Sequence, residues 1–481
     1  MNTLSVELLI NNRETPGASY VEVRDPGRTE DRVGRVAQAS VVQVDDAAQA
    51  AHAALPGWAG TPIAQRVELL RAAAAVLDEE APKIAELMAL ESGMLMATCQ
   101  AEVETAAHVV RDNADMAAEF LQPRQFADAN GWVSVEKRPF GVVAGIVSWN
   151  APVILTMRKL APALACGNTL VIKPSPSAPL GLAVLLAKMA ALFPPGVINV
   201  LHGGADAGAA LTAHPLVRKV SFTGGGKVAG IIMRDAAASM KDVQFELGGN
   251  DPAIVLDDVD VEHAVTRIAI GAFRRAGQFC FAVKRVYVPE SIYDRFFDRL
   301  SAEVGKFRIG HPLDPRSTMG PMNNRAQWTF VKDLLARARA EGADIVELGE
   351  LLDPQATNEG YYLRPTLVRR AAPQSEIVAV EQFGPVLPVV AYQDEAQAVR
   401  LANDSELGLG SSVWSASRTR ALGIARQLEA GMTFINQAGA SRVGQRHAPF
   451  GGVKQSGIGR ESSEVGMAEY VEYHSIHGDA L

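Results

Sequence analysis

The first quarter of the chain carries apolar residues at every third or fourth position, in segments rich in Ala, Leu and Glu. This spacing is typical of amphipathic helices, and it predicts helices at 44–54, 64–92 and 101–121. The third helix ends at Gln122-Pro123, because proline cannot donate to the helical hydrogen-bond ladder. Alternation of apolar and polar residues at 132–137 then predicts a short β-ribbon.

From Gly141 the pattern changes to short apolar runs, which are separated by segments long enough for helices. The predicted strands are 142–147, 169–172, 197–201, 218–222 and 243–247. The predicted crossover helices are 155–166, 180–193, 205–213 and 227–240. Such alternation is typical of a doubly wound parallel sheet.

A second alternating series begins after residue 250. Its predicted strands are 253–256, 285–288, 386–391 and 432–436, and its predicted helices are 261–274, 291–304 and 327–341. We therefore predict an α/β fold with two doubly wound parallel-sheet domains. A cleft between two such domains is the natural place for a ligand.

The composition is that of an ordinary globular protein, since 48% of the 481 residues are hydrophobic and 21% are charged. A chain of this length favours two or three domains. The net charge of -8 disfavours binding to a phosphate backbone, so we expect no nucleic-acid partner. The histidines are scattered and form no spaced ligand cluster with cysteine, so we expect no metal site.

Cysteine usage and the apolar segments bear on location. The three cysteines are too widely spread for a disulfide framework, which favours a reducing compartment. The N-terminal apolar run contains Glu7 and has no basic lead, unlike a signal peptide. Lys188 interrupts the most apolar segment, 180–193, which is too short to span a bilayer. We therefore expect a soluble cytoplasmic protein with no membrane partner.

Two local motifs offer chemistry. Cys280 follows Gly277-Gln278, where glycine lets a neighbouring backbone approach a reacting carbonyl, although an unpaired thiol is most often a small buried hydrophobe. Gly224-Gly225-Gly226 lies between a predicted strand and a predicted helix, so its amides could face a pyrophosphate or form a turn that binds nothing. Glu246 follows at the spacing of a ribose-binding carboxylate in dinucleotide folds.

Seven motifs follow one another along nearly the whole chain. They are Ser148-Trp149-Asn150, Ile172-Lys173-Pro174-Ser175, Phe222-Thr223-Gly224, Glu246-Leu-Gly-Gly-Asn250, Gly277-Gln-Phe-Cys280, Glu381-Gln-Phe-Gly-Pro-Val386 and Pro449-Phe-Gly-Gly-Val-Lys-Gln-Ser-Gly457. In this order they resemble the aldehyde dehydrogenase superfamily. The resemblance implies a Rossmann-like cofactor domain, a catalytic domain and oxidation of an aldehyde to an acid.

The resemblance implies catalytic roles for three residues, and it replaces the ribose interpretation of Glu246. Cys280 matches the nucleophile, whose thiolate would attack the aldehyde carbon to give a thiohemiacetal. Asn150 matches the residue whose side-chain amide, with the Cys280 backbone N–H, forms the oxyanion hole. Glu246 matches the general base that activates water to hydrolyse the thioester.

The implied cofactor is NAD or NADP, with Lys173 at the adenosine ribose and Glu381 at the nicotinamide ribose. The other implied contacts are Trp149, Gly203, Gly224, Gly225, Leu247 and Phe383. Pro176 stands where many NAD-preferring members carry a glutamate that would repel a 2′-phosphate, so we expect NADP to be accepted. Gly225 replaces the usual serine and Ala229 a later glycine, so we expect a slightly altered pyrophosphate geometry.

The implied substrate contacts are Leu155, Arg158, Arg274, Phe279 and Phe281. Members that resemble succinic semialdehyde dehydrogenases carry arginines at the positions of Arg158 and Arg274, and a guanidinium fits a distal carboxylate with two parallel hydrogen bonds. Two alternatives stay open. One or both arginines could form a structural ion pair or lie in solvent, and the adjacent Arg275 makes the register ambiguous. Alternatively, Phe279 and Phe281 could hold an aromatic ring, as in salicylaldehyde-type dehydrogenases, which can also carry an arginine at the position of Arg158.

Two other functions fit the motifs less well. A CoA-acylating relative typically lacks the glutamate found here as Glu246. A non-catalytic structural protein has no need of Cys280, Asn150 and Glu246 together.

The resemblance also predicts the domain layout. Residues 1–121 and 140–250 form the NAD(P)-binding domain, and 251–456 form the catalytic domain. Residues 122–139 and 457–481 match the elements through which the family assembles, so we expect a homodimer or a homotetramer. An edge strand that must be covered gives a physical reason to associate.

Overall fold

The structure, a computed structural model, describes residues 4–355, 358–439 and 445–480. Its α-helices are α1 (Val41–Ala59), α2 (Ile63–Ser92), α3 (Met96–Phe120), α4 (Pro152–Ala165), α5 (Leu180–Ala190), α6 (Ala205–Ala213), α7 (Gly226–Ala237), α8 (Val261–Phe273), α9 (Tyr293–Val304), α10 (Arg325–Ala340), α11 (Glu376–Ala379), α12 (Glu395–Asn403), α13 (Arg418–Ala425) and α14 (Ser463–Ala468). Short 3₁₀ helices lie at Arg274–Gly277, Glu290–Ile292 and Gln445–His447.

The β-strands form two large sheets and several small ones. They are β1 (Leu4–Val6), β2 (Leu8–Ile10), β3 (Arg13–Thr15), β4 (Ser19–Asp25), β5 (Arg28–Gln38), β6 (Arg124–Asp128), β7 (Gly131–Pro139), β8 (Val142–Ile146), β9 (Thr169–Lys173), β10 (Ile198–Val200), β11 (Val217–Thr223), β12 (Asp242–Glu246), β13 (Asp251–Val255), β14 (Val283–Pro289), β15 (Arg308–Ile309), β16 (Asp344–Glu347), β17 (Glu350–Leu351), β18 (Thr366–Arg369), β19 (Val386–Tyr392), β20 (Leu407–Gly408), β21 (Gly410–Trp414), β22 (Met432–Ile435), β23 (Val453–Lys454), β24 (Gly457–Ile458) and β25 (Val471–Asp479).

The first large sheet has the strand order β24-β12-β11-β8-β9-β10-β2-β3. Strands β8 to β12 run parallel, while β2, β3 and β24 pair antiparallel at the edges. The winding direction reverses between β8 and β11. Doubly wound sheets bind ligands in the crevice beyond the carboxyl ends of the strands at such a reversal.

The second large sheet has the order β16-β18-β19-β14-β13-β21-β22. All of its pairings are parallel except that of β16. Helices α8, α9 and α10 contribute to the buried apolar cluster of this sheet. Helices α2 to α5 share one cluster with the first sheet, and α1, α6 and α7 share another, so both large sheets are covered by helices.

Local sequence sets the helix ends. Ser40 caps α1 because its side chain accepts the N–H of Gln43, and the Gln43 side chain accepts the N–H of Ser40 in return. Helix α2 ends at Gly93, whose φ of 76° would be unfavourable for other residues. These ends fix the long helices that support the first sheet.

A three-stranded antiparallel ribbon projects from the body, in the order β25-β7-β6. Every residue of β6 is exposed, and Phe126 on it is 61% exposed. Within the predicted element 457–481, only β25 joins this ribbon. Residues Gly457–Ile458 pair with β12 instead and form the edge strand of the first sheet.

The α/β class and the two parallel sheets are confirmed, whereas the division of the chain into domains stays a prediction. The apolar pattern does not predict β21, although this strand lies inside the second sheet. Its Ser411 and Ser412 are buried and hydrogen-bond to β22 and to Trp414. A strand whose polar side chains are satisfied internally escapes a search for apolar runs.

Candidate active site

Two pockets meet in the cleft between the two large sheets. One, of about 640 Å³, is lined by segments that follow β8 and β11 and by segments that precede β14 and β19. The other, of about 360 Å³, opens beside α3 and α4. Asn150, Leu155 and Cys280 line both pockets, so these residues lie where the pockets join.

The turn before Cys280 has a constrained backbone. Arg275 and Ala276 have positive φ angles of 56° and 53°, and Gly277 has a φ of 73°. A Cβ atom on Gly277 would overlap the Gly384 carbonyl, so this position requires glycine. Non-glycine residues keep such angles only where the surrounding structure holds them. The turn therefore presents Cys280 to the cleft in a fixed orientation.

The Cys280 thiol is half-buried. Burial raises its pKa to about 12, the Lys284 ammonium opposes that rise, and the carboxylates of Glu246, Glu381 and Asp251 add to it. The thiol is therefore protonated at neutral pH. A reaction through its thiolate needs a group that accepts the proton or stabilises the negative charge.

Asn150 is buried at the start of the segment that follows β8. The Ser148 hydroxyl donates to its Oδ1 at 2.6 Å, which leaves its Nδ2 as a donor toward the pockets. Arg275 donates to the Asn150 backbone carbonyl and, at 2.7 Å, to Glu102 Oε2. The other oxygen of Glu102 accepts N–H groups at the start of α4. This pair therefore ties the Cys280 turn to Asn150.

Glu246 ends β12 and is 3% exposed. Neither of its carboxylate oxygens has a hydrogen-bond partner within the described residues. Its pKa is raised well above the usual value by burial and then by Glu461, and nearby cations oppose the rise. A Cβ atom on Gly451, whose φ is 147°, would lie 2.6 Å from Glu246 Oε1, so a glycine is needed beside this carboxyl. Glu246 lies behind the pockets and does not line either of them.

A buried ion cluster adjoins Glu246. Glu461 accepts a hydrogen bond from Lys159 at 2.7 Å and lies 3.9 Å from the Arg158 guanidinium. The same guanidinium stacks over the Phe450 ring, 4.3 Å from its centroid, and lines the smaller pocket. Arg158 therefore has partners inside the protein, as one of the open alternatives expected.

Arg274 differs from its neighbour. It lines the smaller pocket and is exposed there, and its guanidinium makes no hydrogen bond or ion pair with another described residue. Its guanidinium lies 5.1 Å from the centre of the Phe279 ring. Partial dehydration in the concave pocket and the adjacent Arg275 charge lower its pKa to about 10, so it stays charged at neutral pH. Arg275 lines the same pocket but is paired with Glu102, so Arg274 is the one of the two whose guanidinium has no ionic partner among the described residues.

Aromatic rings form the rest of the smaller pocket. Phe279 and Phe281 pack edge to face with 5.3 Å between centroids, and Phe281 and Phe450 do so at 5.5 Å. Leu155 and Ile154 of α4 add aliphatic surface. The pocket thus combines an apolar wall with one guanidinium that lacks an ionic partner among the described residues.

The larger pocket has a glycine turn on one side. Gly224, Gly225 and Gly226 line it at the start of α7, and added Cβ atoms on Gly225 and Gly226 would meet only open space. Trp149 and Leu247 line the same pocket. Unpaired N–H groups at the start of a helix attract anions, so this wall suits a phosphate.

Glu381 and Phe383 form the opposite wall. Glu381 accepts the Gly249 N–H at 3.0 Å and lies 3.3 Å from Lys284. Phe383 has a φ of 47°, and its ring meets Trp149 edge to face at 5.7 Å. Gln327 donates to the carbonyls of residues 382 and 383, which holds this segment in place.

Lys173 and Gly203 lie outside the lining of that pocket. Lys173 ends β9 and is buried, and its ammonium has no hydrogen-bond or ion-pair partner in the described parts of the chain. Burial lowers the pKa of this ammonium to about 8. A Cβ atom on Gly203 would lie 2.6 Å from the Ala207 Cβ, so this glycine also serves packing against α6.

Comparison with known proteins places the chain. The model of the aldehyde dehydrogenase family matches residues 13–476. The chain belongs to the aldehyde dehydrogenase family. It is 35% identical to succinate-semialdehyde dehydrogenase (NADP(+)) GabD of Escherichia coli, over 98% of this chain and 97% of that protein. It is also 35% identical to glutarate-semialdehyde dehydrogenase of Pseudomonas aeruginosa, over 94% and 92% of the two chains.

A solved structure agrees with these relatives. Betaine aldehyde dehydrogenase from Staphylococcus aureus in complex with NAD+ superposes with a TM-score of 0.94 at 31% identity, over 98% of this chain and 94% of that chain. The present aldehyde dehydrogenase is therefore an NAD(P)-dependent oxidoreductase that acts on aldehydes.

The features of the larger pocket fit such a dinucleotide. Side chains added at Gly225 and Gly226 would meet only open space, so a ligand can approach the backbone of the glycine turn, although the Gly224 N–H already donates to the Glu246 carbonyl. The buried Lys173 ammonium has no oxygen partner among the described residues, and a ribose hydroxyl would provide one. Glu381 supplies a carboxylate on the opposite wall. The same aldehyde dehydrogenase offers no group of three or more His, Cys, Asp or Glu side chains for a metal ion within 4–355, 358–439 and 445–480.

Several residues of the aldehyde dehydrogenase site were not predicted from the sequence: Glu102, Lys284, Gln327, Phe450 and Gln455. Lys284 carried a visible signal, because it is a charged residue in the strand Val283–Pro289, all of whose residues are buried. Phe450 and Gln455 belong to the motif at 449–457, but no role was predicted for either of them. Glu102 and Gln327 belong to segments remote in sequence from the motifs. No helix in the described part of this aldehyde dehydrogenase is long and apolar enough to cross a bilayer.

Proposed function

We propose that the enzyme oxidises its aldehyde through a covalent intermediate on Cys280. The thiolate attacks the aldehyde carbon to give a thiohemiacetal, loss of hydride from that carbon leaves a thioester, and water hydrolyses the thioester to the acid and the free thiol. A bound NAD or NADP would accept the hydride. The position of Cys280 at the junction of the two pockets supports this proposal most directly.

Asn150 is the proposed donor to the oxyanion, together with the backbone N–H of Cys280. The Asn150 Oδ1 accepts a hydrogen bond from Ser148, and the Nδ2 group is left to donate to a ligand where the two pockets join. Neutral donors suit a substrate oxygen that becomes negative only during the reaction.

Glu246 is the proposed general base for the hydrolytic water. It is buried, has unpartnered oxygens, and its pKa is raised well above the usual glutamate value, so it accepts a proton more readily than an exposed glutamate. This role separates the enzyme from the CoA-acylating alternative, in which the thioester passes to a thiol.

The proposed cofactor contacts are those of the larger pocket with Lys173. Gly224, Gly225, Trp149 and Leu247 would hold the dinucleotide on one side, Glu381 and Phe383 on the other, and Gly203 would shape the adenine end. We also propose that NADP is accepted, because Pro176 leaves no carboxylate beside Lys173. The NADP(+) relative supports this choice. Exclusive use of NAD in steady-state kinetics contradicts it.

The proposed substrate is an aldehyde with a distal carboxylate, held by Arg274. This guanidinium has no ionic partner among the described residues, and relatives include succinate-semialdehyde and glutarate-semialdehyde dehydrogenases. An aromatic aldehyde is the second candidate, because Phe279, Phe281 and Phe450 form an aromatic wall.

A panel assay tests the proposed function. Reduction of NAD and NADP is followed by absorbance with succinate semialdehyde, glutarate semialdehyde, benzaldehyde and an unbranched neutral aldehyde. We expect the highest kcat/KM with a semialdehyde. A preference for benzaldehyde favours the aromatic alternative, and absence of turnover with every aldehyde contradicts the proposal as a whole.

We further propose assembly through the β25-β7-β6 ribbon into a homodimer or a homotetramer. The outer edge of β6 is exposed along its length and carries the exposed Phe126. Uncovered strand edges and apolar side chains favour association. Light scattering after size-exclusion chromatography gives the mass, and a monomer at micromolar concentration contradicts the proposal.

We propose a cytoplasmic location because the cysteines are unpaired. Cys99, Cys166 and Cys280 are all free thiols, which fits a reducing compartment. Fractionation of the source cells with an antibody against the protein tests this location.

A further inference from the structure

Lys284 is a buried lysine beside the turn that carries Cys280. It lies on β14 and is 2% exposed. Its Nζ donates to the backbone carbonyls of Phe279 at 2.9 Å and Cys280 at 2.7 Å, and lies 3.3 Å from Glu381 Oε1. An ammonium has three donors, and each has a partner here. Such full use of its donors offsets the cost of burying the charge.

These contacts join two walls of the cleft. The carbonyl partners belong to the turn that presents the thiol, whereas Glu381 belongs to the segment before β19 that lines the larger pocket. The Gly249 N–H donates to the same carboxylate oxygen, Glu381 Oε1. Lys284 therefore fixes the position of the thiol relative to that carboxylate.

Three carboxylates surround the Cys280 thiol, and Lys284 is the cation that opposes their effect. Glu246 on β12, Asp251 on β13 and Glu381 before β19 all raise the pKa of Cys280, and Lys284 is the cation that opposes them. Lys284 also opposes the rise in pKa that burial causes at Asp251 and Glu381.

The two arginines of the preceding turn, Arg274 and Arg275, do not provide the positive charge that Lys284 provides next to the Cys280 backbone. Arg275 is paired with Glu102, and Arg274 lies over the Phe279 ring in the smaller pocket. Lys284 is thus the cation whose hydrogen bonds go directly to the backbone of the thiol-bearing residue.

We propose that Lys284 is a positioning residue for the nucleophile: its ammonium holds the carbonyls of Phe279 and Cys280 against Glu381 and supplies the positive charge that favours the Cys280 thiolate. The inference rests on the proposed role of Cys280. The contribution of Lys284 is hydrogen bonding and charge.

Alkylation of Cys280 by iodoacetamide tests this role in the full-length enzyme without added dinucleotide. The thiolate forms a bond to the reagent carbon, iodide leaves, and the thiol proton goes to solvent, so the rate follows the thiolate fraction. Mass spectrometry of the peptide that contains Cys280 measures the rate between neutral pH and about pH 10. At each pH below the midpoint of Cys280 ionisation, Lys284→Met is expected to slow alkylation about tenfold. This loss corresponds to a rise of roughly one unit in the pKa of the thiol.

Two further variants separate charge from hydrogen bonding. Lys284→Gln keeps a donor without the charge and is expected to react nearly as slowly as Lys284→Met. Lys284→Arg keeps the charge and is expected to restore most of the rate. If Lys284→Met does not fold, equal alkylation rates for the Gln and Arg variants overturn the electrostatic role.

Lys219→Met is the matched control, because Lys219 is another fully buried lysine, paired with Asp242 and Glu469. Lys219 lies near the amino end of β11, away from the carboxyl ends of the strands where the pockets lie. The variant is expected to lower thermal stability without changing the alkylation rate. An unchanged rate in Lys284→Met, or an equal loss in Lys219→Met, overturns the proposal. The readout is the modified thiol, so it stays informative even if Cys280→Ala retains turnover and the proposed function fails.

Discussion

The two walls of the cleft are built in different ways. On the first-sheet side, segments leave the carboxyl ends of β8 and β11 and present the Asn150 amide and the Gly224–Gly226 turn. On the second-sheet side, segments enter the amino ends of β14 and β19 and bring Cys280, Lys284 and Glu381 together. Apart from the exposed Lys227, neutral donors and apolar side chains line the first wall of the larger pocket, and buried charges lie on the second. Glu246 and Lys173 end strands of the first sheet but do not line that pocket.

The difference separates binding of the dinucleotide from control of the thiol. N–H groups at a helix start receive an anionic ligand without a charge of their own to dehydrate. Buried charges, in contrast, must be paired within the protein, and each pairing alters the pKa of its neighbours. We therefore expect changes on the second-sheet wall to alter thiol chemistry, and changes near Lys173 on the first-sheet wall to alter dinucleotide affinity.

Cys280→Ala gives the largest expected effect. Loss of the nucleophile removes the covalent route, so kcat is expected to fall by about 10⁴-fold or more. Calorimetry should show dinucleotide affinity within about twofold of the parent enzyme, because the other wall is untouched. Cys166→Ala is the control, since Cys166 is a buried thiol away from the pockets. Comparable turnover in the Cys280 variant contradicts the covalent mechanism.

Glu246→Gln is expected to reduce steady-state kcat by about 10²- to 10³-fold. Thioester formation precedes the water step, so a rapid burst of NAD(P)H close to the enzyme concentration should remain in stopped-flow absorbance. In the parent enzyme kcat should rise with pH as Glu246 loses its proton, in a range above that of an ordinary glutamate, because its pKa is raised. The variant should lack this rise; a missing burst or an unchanged pH profile argues against the general-base role.

Arg274→Gln tests the charge of the smaller pocket. Loss of a charge-assisted contact is expected to raise KM about 10- to 100-fold for succinate semialdehyde and to leave neutral aldehydes within about twofold. Arg274→Lys is the matched variant, since it keeps the charge but loses the planar fork. An equal change in KM for benzaldehyde and the semialdehyde points to a packing role and favours the aromatic alternative.

The architecture of the sheets follows from the sequence more directly than the electrostatics of the cleft. Short apolar runs separated by helical segments predicted β8 to β12 within one or two residues, because parallel strands are buried on both faces. Strand β21 escaped because Ser411 and Ser412 satisfy their hydroxyls inside the sheet. Secondary-structure propensity and the pattern of apolar residues do not reveal hydrogen bonds between segments that are distant in sequence.

The same limit applies to the site. Motif resemblance predicted Cys280, Asn150 and Glu246, and these assignments stay predictions that the geometry supports. Arg274 and Arg275 both line the smaller pocket, and only the pairing of Arg275 with Glu102, far away in sequence, distinguishes them. Lys284 was visible as a charge in a buried strand, but its partners appear only after folding.

Pro176→Glu gives the smallest expected effect, and it concerns only the first-sheet wall. Pro176 is exposed shortly after Lys173, so a carboxylate there should repel a 2′-phosphate and accept ribose hydroxyls. The Kd for NADP is expected to rise about tenfold, while the Kd for NAD stays within about threefold, as measured by protein fluorescence without aldehyde. Pro176→Gln has nearly the same size without the charge and should change neither Kd appreciably. Equal weakening of both dinucleotides by the Glu and Gln variants would mean that proline shapes this loop, and that the missing carboxylate does not determine cofactor choice.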